Sequence, residues 1–120
     1  MMKKILAYWP LIIVVIILIY FGSIFYAKNQ NQIILFYSTS CPHCQVVEKY
    51  ISENQLRDKF KFSELEVSSS EKNTNKLIEK SKQCGLDIDR GIGVPLLFDG
   101  QTCYQGDADI INYFSTQLNK

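Results

Sequence analysis

From Ile5 to Ala27 the chain is apolar and carries no charge, whereas beyond Lys28 short apolar runs alternate with polar stretches. The first run is 23 residues long, and as a helix it spans roughly 34 Å against a hydrocarbon core of roughly 30 Å. It predicts one transmembrane helix. Tyr8 and Trp9 near one end, and Tyr20, Phe21 and Tyr26 near the other, stand where interfacial aromatics sit. Pro10 falls near the start, where a helix tolerates proline. Two other readings are weighed against this anchor. A cleaved signal peptide has an apolar core of about 7 to 15 residues and small side chains before the cut; removal after Ala27 would put the bulky Phe25 where a small one is wanted. A buried helix of a soluble protein seldom shows so long an unbroken run. The expected organisation is an N-terminal tail at 1–4, an anchor at 5–27, a polar linker at 28–32 (KNQNQ) and a folded domain at 33–120.

After the linker, Gln32 to Tyr37 (QIILFY) is continuously apolar and β-branched, the pattern of a strand buried on both faces. Pro42 to about Leu56 reads as a helix with Val47, Tyr50 and Ile51 on one side. Lys61 to Val67 reads as a second strand with Phe62, Leu65 and Val67 as core contacts, although its alternation is imperfect. Ser68 and Glu71 have the spacing of a capping box opening a second helix, which carries Leu77, Ile78 and Ser81 toward Cys84 and stops at Gly85. Leu96 to Phe98 and Thr102 to Tyr104 flank Asp99-Gly100, a hairpin signal. Asp107 is placed to cap a last helix on which Ile110, Ile111, Phe114 and Leu118 recur at helical spacing. The predicted order is βαβαββα, an α/β domain with one core.

Charge sets the orientation of the anchor. Lys3, Lys4 and the amino terminus outweigh the lone Lys28 that follows it, so the N-terminus is expected in the cytoplasm and residues 28–120 outside, at a cell membrane crossed once. Beyond the anchor 11 basic residues face 12 acidic ones, which leaves no electrostatic footprint for nucleic acid. Four cysteines, Cys41, Cys44, Cys84 and Cys103, then point to redox work, a disulfide or a metal.

Cys41 and Cys44 belong to the tetrapeptide CPHC, placed between a buried strand and a helix. Proline is favoured at the first helical position, so Pro42 makes Cys41 the N-cap residue. Its sulfur then faces the free amides of His43 and Cys44 at the positive end of the helix dipole, which favours thiolate. Cys41 is thus the expected nucleophile, and Cys44, one turn on and more buried, the resolving thiol. An imidazolium at His43 would add to the stabilisation, or His43 is an exposed helix residue with no role. A zinc site needs four ligands, and Cys84 and Cys103 come from elements that need not approach Cys41, so no metal is expected. Covalent haem would need histidine after Cys44, where Gln45 stands.

With SCPHC at 40–44 and GVP at 93–95, residues 32–118 resemble the thioredoxin superfamily. The CPHC is similar to that of the DsbA oxidants, and the segment from Gly93 to Phe114 resembles glutaredoxins. The resemblance implies a thioredoxin-like fold, a mostly four-stranded mixed sheet flanked by helices. It implies thiol-disulfide oxidoreductase activity on protein thiols and disulfides, with no cofactor. Pro95 corresponds to the superfamily's cis-proline, which keeps metal and stray donors from the active-site disulfide, and Val94 offers its backbone to a substrate strand. Family habit and the short linker together imply a quinone-linked membrane redox partner of the DsbB or vitamin K epoxide reductase type. A glutaredoxin-type reductant and a non-catalytic peptide-binding module are the alternatives. Leu35 replaces the buried aspartate of thioredoxins, and Ser38 the basic residue with which glutaredoxins bind glutathione, whereas Gly106 and Asp107 match the glutaredoxin pocket. Cys84 and Cys103 are open to three readings: a structural disulfide joining the second helix to the hairpin, free buried thiols, or a relay to Cys41 and Cys44.

Overall fold

The structure, a computed structural model, describes the backbone of residues 2–30 and 32–120 and the side chains of 7–26 and 32–120. The chain divides into two units, Met1–Asn31 and Gln32–Lys120. In the first, α1 runs from Met2 to Gln30 with Pro10 inside it. Its segment Ala7–Tyr26 has a mean hydropathy of 2.3 and is long and apolar enough to cross a membrane. Side chains 7–26 are exposed. The expected linker differs at its first part. Lys28 to Gln30 continue the helix, because no glycine or proline follows the apolar run to stop it. Asn31 lies outside the described residues, as do Met1 and the side chains of Lys3 and Lys4.

In the second unit, β1 (Ile33–Tyr37), β2 (Phe62–Glu66), β3 (Leu96–Phe98) and β4 (Cys103–Gln105) form one sheet in the order β2-β1-β3-β4. β1 pairs parallel with β2 and antiparallel with β3, and β3 pairs antiparallel with β4, so the sheet is mixed. The central strand alternates between two layers. Leu35 packs with Val47 and Ile51 of α2 (Pro42–Glu53), Leu56, Leu97, and Ile110 and Phe114 of α5 (Asp107–Leu118). Ile34 and Phe36 pack with Leu77 of α4 (Glu71–Gln83), Leu96 and Phe98 on the opposite face. This two-sided burial is why β1 reads as an unbroken apolar run rather than an alternating one.

The helix ends depart from the expected ones for local reasons. The helix after Pro42 stops at Glu53, where the side-chain amide of Asn54 donates to the Tyr50 carbonyl at 2.9 Å and competes with the helix ladder. Gln55 then adopts φ 54°, and the chain restarts as a one-turn helix, α3 (Leu56–Lys59), held by the fully buried Leu56. The cap of α4 is Ser70, whose hydroxyl accepts from the Asn73 amide at 3.3 Å; Ser68 and Ser69 instead donate to the Glu66 carboxylate. α5 is capped by Gly106 at φ 84°, a conformation that suits glycine, and Asp107 takes the first helical position.

Candidate active site

The loop after β1 delivers the cysteines. Tyr37 ends the strand, the Cys41 amide donates to the Ser38 carbonyl at 3.2 Å, and Pro42 opens α2. Cys41 is the N-cap, at φ −91° and ψ 119°, and its sulfur accepts a hydrogen bond from the Cys44 amide at 3.4 Å. Its thiol also points at the carbonyl of Val94, at 3.5 Å. Cys41 is half-buried and Cys44 buried, at 5% exposure, and both are free thiols. Burial first, then a hydrogen bond with Cys41, pushes the Cys44 thiol up to about 11, against a smaller opposing effect of the Ser38 amide on its sulfur at 3.5 Å. The two thiols therefore differ in kind. Cys41 is accessible, with its sulfur at a helix N-terminus where negative charge is favoured. Cys44 lies beneath it and holds its proton.

Across from the cysteines, the Val94–Pro95 peptide is cis and Pro95 is buried. The Pro95 carbonyl accepts from the Gly106 amide at 3.0 Å, which ties this loop to the start of α5. Through that tie α5 brings Asp107 to the rim. His43 Nδ1 lies 3.2 Å from Asp107 Oδ2, with His43 71% exposed. The hydrogen bond from His43 is the main reason that the Asp107 carboxyl is held below its ordinary value; the Ala108 amide adds to it. Sequence reading weighed a cation beside the sulfur against an exposed helix residue at position 43, and neither included this carboxylate partner of His43 on a distant segment.

A second group escaped the sequence reading. Arg57 of α3 donates through Nε and Nη2 to both oxygens of Glu64 at 2.8 Å, and through Nη2 to Glu48 of α2 at 2.6 Å. The two carboxylates push the guanidinium higher still. These residues line a cleft of about 400 Å³ together with Leu35, Ser38 and Cys44. Arg57 follows the helix break at Asn54–Gln55, which no breaker residue announces, so no spacing rule links it to Cys44.

Cys84 and Cys103 are bonded to each other, with Cα atoms 5.9 Å apart and a sequence separation of 19. They join the end of α4 to β4 and pack at the edge of the α4-side core, apart from Cys41 and Cys44.

No protein-family model and no curated protein matches the chain. Among solved structures it is similar to glutaredoxin 1 from Francisella tularensis complexed with cacodylate, at 20% identity over 74% of this chain and 98% of that one, with a TM-score of 0.50. It is also similar to reduced Escherichia coli glutaredoxin, at 19% identity over 74% of this chain and 99% of that one, with a TM-score of 0.52. The fold is thioredoxin-like. Within this thioredoxin-like fold the cysteine pair stands at the end of the central strand, facing the cis-proline loop. The Leu35 and Ser38 departures from the superfamily pattern are both buried here, at the base of the site.

Proposed function

We propose that the protein is a membrane-tethered thiol-disulfide oxidoreductase that exchanges disulfides with protein thiols outside the cytoplasm. The observation that carries this reading is the asymmetry of the pair: a half-buried Cys41 with its sulfur on the α2 N-terminus above a buried Cys44 that keeps its proton. Cys41 attacks or is attacked, and Cys44 closes or opens the enzyme disulfide. Val94 and Pro95 flank Cys41, where a substrate strand would lie; the Val94 carbonyl that holds the Cys41 thiol is free to turn to substrate once the disulfide forms. Two features support an extracytoplasmic domain. Positive charge is concentrated before the apolar helix, and the Cys84–Cys103 disulfide belongs in an oxidising compartment.

Electrons taken from substrate thiols pass, in this reading, to a quinone-linked partner in the membrane of the DsbB or vitamin K epoxide reductase type. The support is the tether: α1 ends at Gln30 and β1 begins at Ile33. Trapping tests the central reading. Cys44→Ser is expected to accumulate mixed disulfides with extracytoplasmic proteins on non-reducing gels, and Cys41→Ser is expected to accumulate none. Equal trapping by both would overturn the assignment of roles.

A further inference from the structure

For Cys44 to resolve a mixed disulfide it must first lose its proton, yet it is 95% buried, with its amide donating to the Cys41 sulfur. Cys44 is nonetheless one of the residues that line a cleft. That cleft, of about 400 Å³, runs from Cys44 past Ser38 to Glu48, Arg57 and Glu64. A cleft of that size, lined in part by Glu48, Arg57 and Glu64, takes on the order of ten waters at roughly 30 Å³ each. Glu64 is the innermost carboxylate on it, 25% exposed against 53% for Glu48. Its backbone is paired in register with Leu35 on β1, and paired residues of neighbouring strands point to the same face, here the face that carries α2 and Cys44. Arg57 grips both oxygens of Glu64, which fixes the carboxylate at the cleft wall without burying it.

We propose that Glu64 is the proton acceptor for Cys44, reached through water in this cleft, and that Arg57 is the positioning residue that holds the carboxylate there. The inference rests on the oxidoreductase reading above. In the reducing direction the proton of Cys44 passes by water to Glu64, and the resulting thiolate attacks Cys41 Sγ. The Cys41–Cys44 bond forms, the bond from Cys41 to the substrate sulfur breaks, and the electron pair leaves on that sulfur, which takes a proton from solvent. The substrate disulfide is reduced and the enzyme dithiol oxidised. In the oxidising direction the substrate thiolate attacks Cys41 Sγ, the Cys41–Cys44 bond breaks with its electron pair on Cys44, and Cys44 takes a proton from bulk solvent through Glu64 and the cleft water. The charged and titratable groups facing Glu64 are Arg57 from α3, Glu48 and Cys44 from α2, and Tyr37 from β1.

The test uses the full chain in detergent micelles and a fluorescent peptide disulfide, with acid quenching to follow formation and release of the mixed disulfide separately. At neutral pH, Glu64→Gln is expected to release the peptide at least about tenfold more slowly, with the attack phase unchanged within about twofold. In the wild type, release should vary little between about pH 6.5 and 9, whereas in Glu64→Gln it should rise about tenfold per pH unit as hydroxide replaces the carboxylate. Glu64→Asp should restore part of the rate. Equal release by Glu64→Gln and wild type overturns the proposal, and so does slow release with a flat pH profile, which would mark a structural role. If Glu64→Gln does not fold, the wild-type profile decides: a rise of about tenfold per unit across the whole range overturns it. A wild-type protein that forms no mixed disulfide at all overturns the oxidoreductase reading together with this one; a wild type that forms and resolves it, with Glu64→Gln unchanged, overturns this one alone.

Discussion

At Cys41 the Cys44 amide and the α2 N-terminus act on the sulfur through the backbone. His43, two residues on, pairs with Asp107 across the rim of the site. A carboxylate beside the imidazole offsets the field that an imidazolium would exert on the thiol. Asp107→Asn should therefore speed alkylation of Cys41 by iodoacetamide at mildly acidic pH, and His43→Ala should slow it, each by about two- to threefold, as suits a solvent-screened pair. Opposite directions are the signature. Identical rates in all three proteins would make the pair a strut between α2 and α5 and nothing more. The pair also has an acid limb. Because Asp107 is held below its ordinary value in the folded chain, the stability it contributes is present above the unfolded carboxylate range and is lost as pH falls through its lowered value. Asp107→Asn removes that dependence, which acid titration of unfolding measures.

Among the elements, the end of α4 and the strand β4 share a covalent link, and the start of α4 a polar one. A disulfide closing a loop of this length contributes about 3 kcal/mol, chiefly by restricting the unfolded chain. The double variant Cys84→Ala and Cys103→Ala is expected to lower the unfolding free energy by about that amount in urea while leaving peptide-disulfide exchange at Cys41 unaltered, since the bond lies apart from the site. Loss of exchange activity with the fold intact would revive a relay role for these cysteines. At the other end of α4, Ser70→Ala should cost about 1 kcal/mol as a lost N-cap, and Ser68→Ala less. The Glu66 carboxylate gathers Ser68 and Ser69 into the preceding turn, and their hydrogen bonds, that of Ser68 first, hold it at about 2. That turn is consequently expected to loosen only as pH falls toward about 2.

For the molecule as a whole, the unit Gln32–Lys120 has its own two-sided core, with Leu35, Ile34 and Phe36 buried within it. Residues 32–120 expressed alone should fold as a water-soluble domain and reduce insulin, while failing to partition with membranes. Insolubility of that fragment would show that its surface depends on the first unit. Alkaline phosphatase fused after Lys120 in the full chain is expected to be active, in keeping with a C-terminal domain outside the cytoplasm. Activity confined to a cytoplasmic reporter would reverse the topology.

The sequence alone was enough for those features in which neighbouring residues decide the outcome. An unbroken apolar run makes a long exposed helix, Pro42 makes Cys41 a cap, and a continuous apolar strand means burial on both faces, because each rests on local backbone chemistry or simple periodicity. The choice of cap at Ser70 over Ser68, and of Gly106 over Asp107, turned on the φ and ψ that the incoming strand imposes, which adjacent serines or a Gly-Asp pair leave open. The joining of His43 to Asp107, of Cys84 to Cys103, and of Arg57 to Glu48 and Glu64 was decided by the tertiary structure alone. Each depends on which segments the sheet order β2-β1-β3-β4 sets side by side, and contacts between remote segments follow from packing the two faces of that sheet, not from spacing along the chain.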